Sequence, residues 1–353
     1  MLYNNKLWIN DIDEVIDKFP EFRKLDNTSI LITGTTGLIC SAVIELLLRF
    51  NERFNTNIKV FAACRHYDTF SKRFKSLLHR TDLKFFEYDA TKPNDFNIQV
   101  DYIIHGASNA SPKIVSNEPV ETMLSNIFGL KNLLDYANNN NVTRVLYISS
   151  SEIYGKTNTI NPISENNYGF IDSLNTRNSY SIGKKAAETL CSSYTKEYNT
   201  NTVIVRPGHI YGPTATKNDT RVSSEWVYSV AKNESIVMKS EGKQLRSYCH
   251  CLDCATAILT VLLKGKSGEA YNISNESSII DIKTMANILV NYTKVDLKVD
   301  LPTNIELNAF NPMLNSSLNN TKLKKLGWNG LFDAKLGFEH TVDIIKSIIN
   351  KSP

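Results

Sequence analysis

Short apolar runs alternate along the N-terminal part of the chain with longer segments whose apolar residues recur at helical spacing. Each short run is compact, rich in β-branched residues and flanked by polar positions, which is typical of a strand buried on both faces. Five such strands are predicted, at residues 29–33, 57–64, 83–88, 101–105 and 144–149. Because helical segments separate them, the pattern predicts an α/β fold with a doubly wound parallel sheet.

The same pattern divides the chain into three parts. Residues 1–28 are polar, with Ile12, Val15, Ile16 and Phe19 at helical spacing, and predict a helical extension. Residues 29–205 contain the predicted sheet. Residues 206–353 should form mainly a smaller lobe, with segments that return to the sheet. We expect residues 206–213, about 222–231 and 279 onward to supply this lobe, and we predict a strand at 270–273 that returns to it.

Composition and charge restrict the function more than the fold. The 353 residues carry 40 Lys and Arg against 36 Asp and Glu, with the signs interspersed. A net charge of +4 without a basic patch argues against a nucleic-acid partner or a membrane surface. We recognise no signal peptide and no apolar run of bilayer length, so we expect a cytoplasmic protein. The six cysteines lack metal-ligand spacing, and we expect no metal site.

The first predicted strand leads into a glycine turn and then an amphipathic helix. This is the context of a dinucleotide-binding fingerprint, in which glycines admit a pyrophosphate to the helix N-terminus. We predict cofactor contacts from Gly34, Thr36, Gly37, Leu38 and Ile39. Cys40 replaces the third glycine of the fingerprint, and this small apolar residue should shift the helix slightly outward. A glycine turn without a nucleotide, in some other α/β protein, is the alternative.

The end of the second predicted strand bears on the choice of cofactor. An acidic residue there would accept a hydrogen bond from an adenosine ribose hydroxyl, whereas a basic residue would hold a 2′-phosphate. The chain has Arg65 at this position, with Lys72 and Arg73 soon after. The pattern therefore favours NADP, with NAD as the alternative if Arg65 is only a solvated side chain.

Two further strand ends are predicted to contact the cofactor. Asp89 and Ala90 follow the third strand and could meet the adenine ring. The fourth strand opens into small residues, among them Ala107 and Ser108, which leave room for a ligand beyond the carboxyl end of the strand.

The strongest chemical signal is a tyrosine and a lysine four residues apart, Tyr180 and Lys184, at the start of a predicted helix. Residues at this spacing lie on one helical face. A phenol has a pKa of about 10, and we expect a fixed ammonium beside Tyr180 to lower it. Such a pair can move the proton of a secondary alcohol while a hydride moves to or from nicotinamide.

Taken together, the motifs resemble the extended short-chain dehydrogenase/reductase family, in its nucleotide-sugar epimerase/dehydratase branch. The resemblance rests on TGTTGLI, HGASNASP, SSSEIYG, YSIGK, RPGHIYGP, RSYCHCLDCA and GEAYNIS, in the family order. Within the branch, HGASNASP, AAETLC and NDTRVSS look most like UDP-glucuronate decarboxylases. The resemblance implies a Rossmann-type domain, a smaller C-terminal substrate-binding lobe and a nucleotide-sugar substrate.

The resemblance also implies roles for individual residues. Tyr180 would be the acid/base, Lys184 its activator and a ligand of the nicotinamide ribose, and Ser150 would hydrogen-bond the reacting sugar oxygen. Glu152 would handle a further proton, or serve only as a structural carboxylate. The remaining implied residues are the supporting Asn126, Pro207 and Gly208 beside the nicotinamide amide, Arg246 at the substrate diphosphate, and Ser111, Ser151, His209 and Arg221 as further substrate contacts.

The chain departs from the family pattern in ways that leave the reaction open. His209 stands where many relatives have an asparagine that faces the substrate, and Arg65 replaces the acid typical of NAD-binding decarboxylases. An epimerase or dehydratase acting at C4 of a hexose is the first interpretation. An NADPH-dependent reductase of a 4-keto sugar, a hexuronate decarboxylase and a non-catalytic dinucleotide-binding module are the alternatives.

The resemblance further implies a homodimer built from two helices, at about 119–138 and 180–198. The first has Val120, Met123, Leu124, Ile127 and Leu130 at helical spacing. The second has Ala186, Ala187, Leu190, Cys191 and Tyr194 at that spacing. One apolar stripe on each helix must face the sheet, and a second apolar face would be covered by a partner. A monomer with one buried face on each helix is the alternative.

Overall fold

A seven-stranded parallel sheet forms the centre of the computed structural model. The structure describes residues 2–108, 110–157, 159–300 and 313–350. The strands of this sheet are β1 Ser29–Thr33, β2 Lys59–Cys64, β3 Leu83–Glu87, β4 Tyr102–His105, β5 Arg144–Ile148, β6 Thr202–Pro207 and β10 Ala270–Ile273. Across the sheet they lie in the order β10-β6-β5-β4-β1-β2-β3. All five predicted strands are present, so the predicted doubly wound sheet is confirmed.

Helices cover both faces of this sheet and build the smaller lobe. They are α1 Lys6–Lys18, α2 Leu38–Phe54, α3 Tyr67–Arg73, α4 Pro112–Asn117, α5 Pro119–Asn139, α6 Ser179–Tyr198, α7 Val222–Ala231, α8 Cys251–Lys264, α9 Ile282–Thr293, α10 Thr321–Lys324 and α11 Ala334–Ile349. The predicted helices around residues 119–138 and 180–198 are therefore confirmed.

Two small sheets accompany the lobe. The strands β11 Ile279–Asp281, β9 Leu245–His250 and β7 His209–Tyr211 form one, and β12 Leu297–Val299 and β8 Ile236–Met238 form the other. The assignment of residues 270–273 to the lobe is wrong, because β10 pairs with β6 in the large sheet. A short apolar run predicts a buried strand but contains no signal for which of two sheets it joins.

The N-terminal extension is folded onto the sheet's helical layer rather than standing apart. Helix α1 buries Trp8, Ile12, Val15 and Ile16 in the same core as α2 and α8. A second core lies on the opposite face of the sheet under α5 and α6, and a third joins α7, α9 and α11 in the lobe.

None of the helices formed by the described residues has the length and apolarity needed to cross a bilayer. Within those same residues, no group of three or more His, Cys, Asp or Glu side chains is arranged to hold a metal ion.

Candidate active site

The glycine turn between β1 and α2 forms a close approach of two backbones. Gly34 has a φ of +71°, which disfavours residues with a side chain, and a Cβ there would lie 2.6 Å from the carbonyl oxygen of Gly106. Gly37 caps α2 without a side-chain hydrogen bond. The N–H groups of the first helical turn are therefore available to an anion. This cradle fits a dinucleotide pyrophosphate.

Cys40, at the third fingerprint position, is buried against the loop that follows β4. A Cβ on Gly106 would lie 2.5 Å from the Cys40 sulfur, so the thiol occupies space that this glycine leaves free. Burial raises the pKa of the Cys40 thiol to about 12, against a smaller opposing effect of the Lys184 charge. The cysteine is thus an unreactive packing residue, and Gly106 is the compensating partner that the sequence did not reveal.

The same loop is held by the end of β1. The hydroxyl of Thr33 accepts hydrogen bonds from the N–H groups of Gly106 and Ala107 at 3.2 and 3.1 Å. It also lies 2.7 Å from Nδ1 of His105. Burial, together with the nearby Lys184 charge, lowers the pKa of His105 to about 3, so its ring is neutral. Neither Thr33 nor His105 was predicted, although each ends a strand that points at the site.

Arg65 lies exposed at the end of β2, on the predicted adenosine side. The Arg65 charge acts on the Asp89 carboxyl. Burial raises the pKa of this carboxyl, but hydrogen bonds from Thr91 and the charges of Lys92 and Arg65 outweigh burial, so the pKa is lowered overall. Arg73 does not join this group, because its NH2 lies 3.6 Å from Glu45. Lys72, at the surface, pairs with Asp68 at 3.0 Å. The basic group predicted at this strand end is therefore reduced to Arg65.

Asn126 and Ala90 line the junction of α5 with the sheet. Asn126 is fully buried, donates to the carbonyl of Thr122 at 2.8 Å and accepts from the hydroxyl of Tyr147 at 3.2 Å. A Cβ on Gly129 would lie 2.7 Å from the Cβ of Ala90, so α5 sits directly on the end of β3. The hydroxyl of Ser108 is buried without a hydrogen-bond partner among the described residues.

Tyr180, in the first turn of α6, meets Ser150 and Glu152 beyond the carboxyl end of β5. Burial and, to a lesser extent, the Glu152 carboxylate raise the pKa of Tyr180 to about 12, while a hydrogen bond with Ser150 and the charge of Arg221 oppose the shift. The predicted lowering of this pKa is therefore not what the structure shows. Burial and a neighbouring carboxylate outweigh the cations around the phenol.

Lys184 lies under Tyr180 on the same helix. It is 2% exposed, and its Nζ donates to the carbonyl of Ile148 at 2.7 Å. Nζ lies 5.8 Å from the ring centre of Tyr180 and 4.7 Å from that of Tyr147. Burial lowers the pKa of Lys184 to about 7, although the neighbouring Cys40, Glu188 and Cys191 favour the charged form. The ammonium thus lies close to the Tyr180 ring, and its hydrogen-bond acceptor is the Ile148 carbonyl.

The serine loop after β5 positions Glu152. The hydroxyl of Ser150 accepts from the N–H of Glu152 at 3.2 Å, and the hydroxyl of Ser181 donates to Oε2 of Glu152 at 3.2 Å. Ser151 begins the short helical turn that follows and is half-buried. The loop therefore brings a carboxylate, two hydroxyls and the phenol to one place.

The predicted substrate residues His209 and Arg246 lie on paired strands of the lobe, with Arg221 close to the same imidazole. Burial, together with the charges of Arg246 and Arg221, lowers the pKa of His209 to about 3. Arg246 is 6% exposed and donates to the carbonyls of Leu245 and Met313 at 2.8 and 3.2 Å. In the part of the chain that the structure describes, no carboxylate pairs with it. Arg221 caps α7 and pairs with Asp219.

The other predicted residues lie at the edges of this site. Gly208, directly after β6, donates its N–H to the carbonyl of Ile273 at 3.0 Å, which fixes the strand end formed by Pro207. Ser111 caps α4 through its backbone and is half-buried. Asn109, inside the HGASNASP motif, lies outside the described residues.

The site combines a glycine cradle at the first βα turn with a Tyr–Lys helix and a serine loop at the neighbouring strand end. This combination defines an oxidoreductase-type dinucleotide site of the extended short-chain dehydrogenase/reductase class. Residues 30–274 match the model of the family described as "NAD dependent epimerase/dehydratase family". The chain belongs to this family, and the predicted enzyme class is confirmed.

Known proteins agree with this assignment. UDP-glucuronic acid decarboxylase 6 of Arabidopsis thaliana is 27% identical over 278 residues, which cover 79% of this chain and 78% of that protein. The UDP-glucose 4-epimerase of Thermotoga maritima, solved with UDP-glucose, superposes with a TM-score of 0.78 at 22% identity, over 91% of this chain and 99% of that one. The UDP-glucuronic acid 4-epimerase of Bacillus cereus, solved with UDP-glucuronic acid and NAD, superposes with a TM-score of 0.75 at 19% identity, over 91% of this chain and 99% of that one.

Proposed function

We propose that this enzyme oxidises C4 of a nucleotide-linked hexose with a tightly held nicotinamide dinucleotide and returns the hydride within the same turnover, as an epimerase or dehydratase does. The observation that carries the proposal is the meeting of Tyr180 on α6 with the Ser150–Glu152 loop at the strand end beside the glycine cradle, since Ser150 and Glu152 both act on the phenol. A phenol and a serine hydroxyl brought to one place can together hold the oxygen of a secondary alcohol.

The cofactor would be held by the first turn of α2, by the loop of Ala107 and Ser108, and by Lys184 at the ribose. When bound, the nicotinamide would accept the hydride and later return it. Tyr180 would take the C4 hydroxyl proton as the carbon loses its hydride. In an epimerase it would give that proton back when the C4 ketone is reduced, whereas in a dehydratase the C4 ketone remains in the product. Ser150 orients the oxygen, and Lys184 keeps a cation near a phenol whose pKa burial has raised.

The substrate diphosphate is assigned to Arg246. A buried guanidinium that has only carbonyl acceptors in the described protein suits an anionic ligand, since a charge buried without a counter-charge is costly. His209 lies beside it and stays neutral, so we propose that it contacts the sugar as a hydrogen-bonding group rather than as an acid.

A hexuronate decarboxylase is the second candidate, and Arg221 favours it. Its charge is close enough to Tyr180 to affect the phenol pKa, so a sugar carboxylate near C4 would find a cation there. The Arabidopsis relative is named for this reaction. Oxidation at C4 of a hexuronate gives a β-keto acid, which releases carbon dioxide, and the resulting ketone takes the hydride back.

We further propose that NADP is preferred over NAD, because Arg65 stands exposed where an acid would select NAD. If the dinucleotide is consumed rather than recycled, the enzyme is the reductase of a 4-keto sugar. The cytoplasm is the proposed location, and the six free thiols suit a reducing compartment.

The test is to denature the purified protein and identify the nucleotide released, and then to supply UDP-glucose, dTDP-glucose and UDP-glucuronate in separate reactions. We expect a released NAD(P) and, for one sugar, a C4 epimer, a 4-keto-6-deoxy sugar or a pentose. An empty site with conversion only of a 4-keto sugar and added NADPH would contradict internal redox. A protein that binds nucleotide but converts none of these sugars would favour the non-catalytic alternative.

A further inference from the structure

Buried polar contacts join the N-terminal helix α1 to the first turn of α2. The indole Nε1 of Trp8 donates to Oε2 of Glu45 at 2.6 Å, and both side chains are buried. Oε1 of Glu45 lies 3.6 Å from NH2 of Arg73. The same NH2 donates to the hydroxyl of Ser41 at 2.7 Å, and this hydroxyl donates to the carbonyl of Gly37 at 2.7 Å. We call Trp8, Glu45, Arg73 and Ser41 the Trp8 relay.

The relay buries a carboxyl group and most of a guanidinium in the protein core, which costs free energy of folding. Glu45 is 1% exposed in the middle of an apolar helix face. Burial raises the pKa of its carboxyl, and the Arg73 charge and the Trp8 hydrogen bond work against that shift. A leucine at this position would pack without any such cost. Buried charge pairs contribute little to stability and are better suited to fixing one side-chain arrangement. The arrangement fixed here is that of Arg73 and Ser41 at the start of α2.

What the relay holds is the carbonyl of Gly37, the residue that caps α2. Arg73 occupies the hydroxyl oxygen of Ser41 as a donor, so the hydroxyl proton is left to point at this carbonyl. On the other side, the hydroxyl of Thr214 donates to the carbonyl of Leu38 at 2.7 Å. The Gly37 carbonyl shares its planar peptide group with the N–H of Leu38, and the Leu38 carbonyl shares its group with the N–H of Ile39. Holding these two carbonyls therefore holds two of the free N–H groups of the helix start.

We propose that Trp8, Glu45, Arg73 and Ser41 are positioning residues for the dinucleotide, and that the N-terminal helix is thereby part of the cofactor-binding machinery. By fixing the Gly37 carbonyl, the relay orients the first-turn N–H groups toward the diphosphate before it binds. The inference rests on cofactor binding at this turn, not on which sugar reacts.

The experiment is a double-mutant cycle between the two ends of the relay, which do not touch. The dissociation constants of NADH and NADPH are measured by calorimetry without sugar for the wild type, Trp8→Phe, Ser41→Ala and the double variant. Each single change should weaken binding about five- to tenfold, as expected for one hydrogen bond. If the relay acts as a unit, the double variant should be weaker by much less than the product of the two effects.

Asp11→Asn is the matched control on α1. Asp11 lies 2.9 Å from His340 of α11 and outside the relay, so this variant should bind cofactor as the wild type does. Hydrogen exchange of the cofactor-free protein provides a second readout. In Trp8→Phe we expect faster exchange of the 34–41 segment and no change in β2. If Trp8→Phe does not fold, Glu45→Gln replaces it, since it keeps the side-chain volume but removes the carboxylate charge that faces Arg73.

Unchanged dissociation constants in both single variants would overturn the proposal. Effects that multiply in the double variant would also overturn it, because they would show that Trp8 and Ser41 act independently. Equal losses in Asp11→Asn would overturn it as well, because they would indicate general destabilisation. A wild-type protein that binds neither nucleotide would overturn the proposed function as well. Failure to find its sugar would leave this test intact.

Discussion

At the scale of single residues, burial decides the chemistry of the site more than the charges that the sequence displays. Tyr180 was predicted to have a lowered pKa because Lys184 lies four residues away. The structure shows a pKa raised to about 12, since burial and Glu152 dominate. The lysine is itself affected, with a pKa lowered to about 7 by burial. Sequence spacing gives neighbours correctly but contains no measure of desolvation.

Lys184→Met should make the protein more stable at low pH while it removes activity. Burying the ammonium costs stability below the folded pKa of about 7, where the lysine is charged in both states. Above about pH 7 the folded protein releases the Lys184 proton while the unfolded chain still binds it, so the cost falls as the pH rises. It vanishes above the ordinary lysine pKa of 10.5, where the side chain is neutral in both states. We expect a Tm gain at pH 6 that shrinks by pH 9, measured by thermal melts.

Lys185→Met is the matched control, because Lys185 is the next residue on α6 and is only partly buried. Its Tm change should show no such dependence on pH. A Lys184→Met variant that loses the same stability at both pH values would contradict the buried-cation account.

Arg65→Ala should weaken the binding of NADP by about 1.5–3 kcal/mol, as for a charge-assisted hydrogen bond, and leave NAD nearly unaffected. Calorimetry with both nucleotides measures this. Lys72→Ala serves as the control, since Lys72 is exposed and paired with Asp68. Equal losses for the two nucleotides in Arg65→Ala would rule out a role at the 2′-phosphate.

At the scale of elements, the strands and helices of residues 29–205 could be predicted because alternating apolar runs determine them locally. What failed were relations between elements. Strand β10 joins the large sheet rather than the lobe, and Arg73 pairs with Glu45 rather than joining Arg65 at the end of β2. The role of Gly106 opposite Cys40 was also missed. Such pairings depend on which surfaces meet in three dimensions, and no spacing in the chain encodes them.

Gly106→Ala tests the packing of α2 against the loop after β4. Its new Cβ would lie 2.5 Å from the Cys40 sulfur, so we expect a loss of about 1–3 kcal/mol in the free energy of unfolding. Adding Cys40→Gly should recover part of that loss, and urea titration measures both. If the second change brings no recovery, the two residues do not compensate each other.

At the scale of the whole molecule, α5 leaves an apolar face open. Val120, Leu124 and Phe128 are 61%, 38% and 49% exposed, whereas Leu130 is fully buried against the sheet. A second apolar face is what the predicted homodimer needs, and a two-fold contact is the commonest way to cover it. We therefore expect light scattering at micromolar concentration to give twice the chain mass of 39.8 kDa.

Phe128→Glu should shift this mass to that of the monomer, because a charge on the open face would be buried without a partner. Leu174→Glu is the control, since Leu174 is 92% exposed in a loop and should leave the mass unchanged. A wild-type mass near 40 kDa would contradict the dimer.

The central claim is that the hydride leaves C4 of a nucleotide sugar and returns to the same substrate molecule, with Tyr180 moving the proton. The most direct measurement uses the nucleotide sugar that the enzyme converts, deuterated at C4, with mass spectrometry of the product. We expect nearly all product molecules to retain the deuterium, and Tyr180→Phe to slow their formation by about 10²–10⁴-fold without loss of bound cofactor. Product that has lost the deuterium to solvent, or a Tyr180→Phe variant with wild-type turnover, would contradict the account.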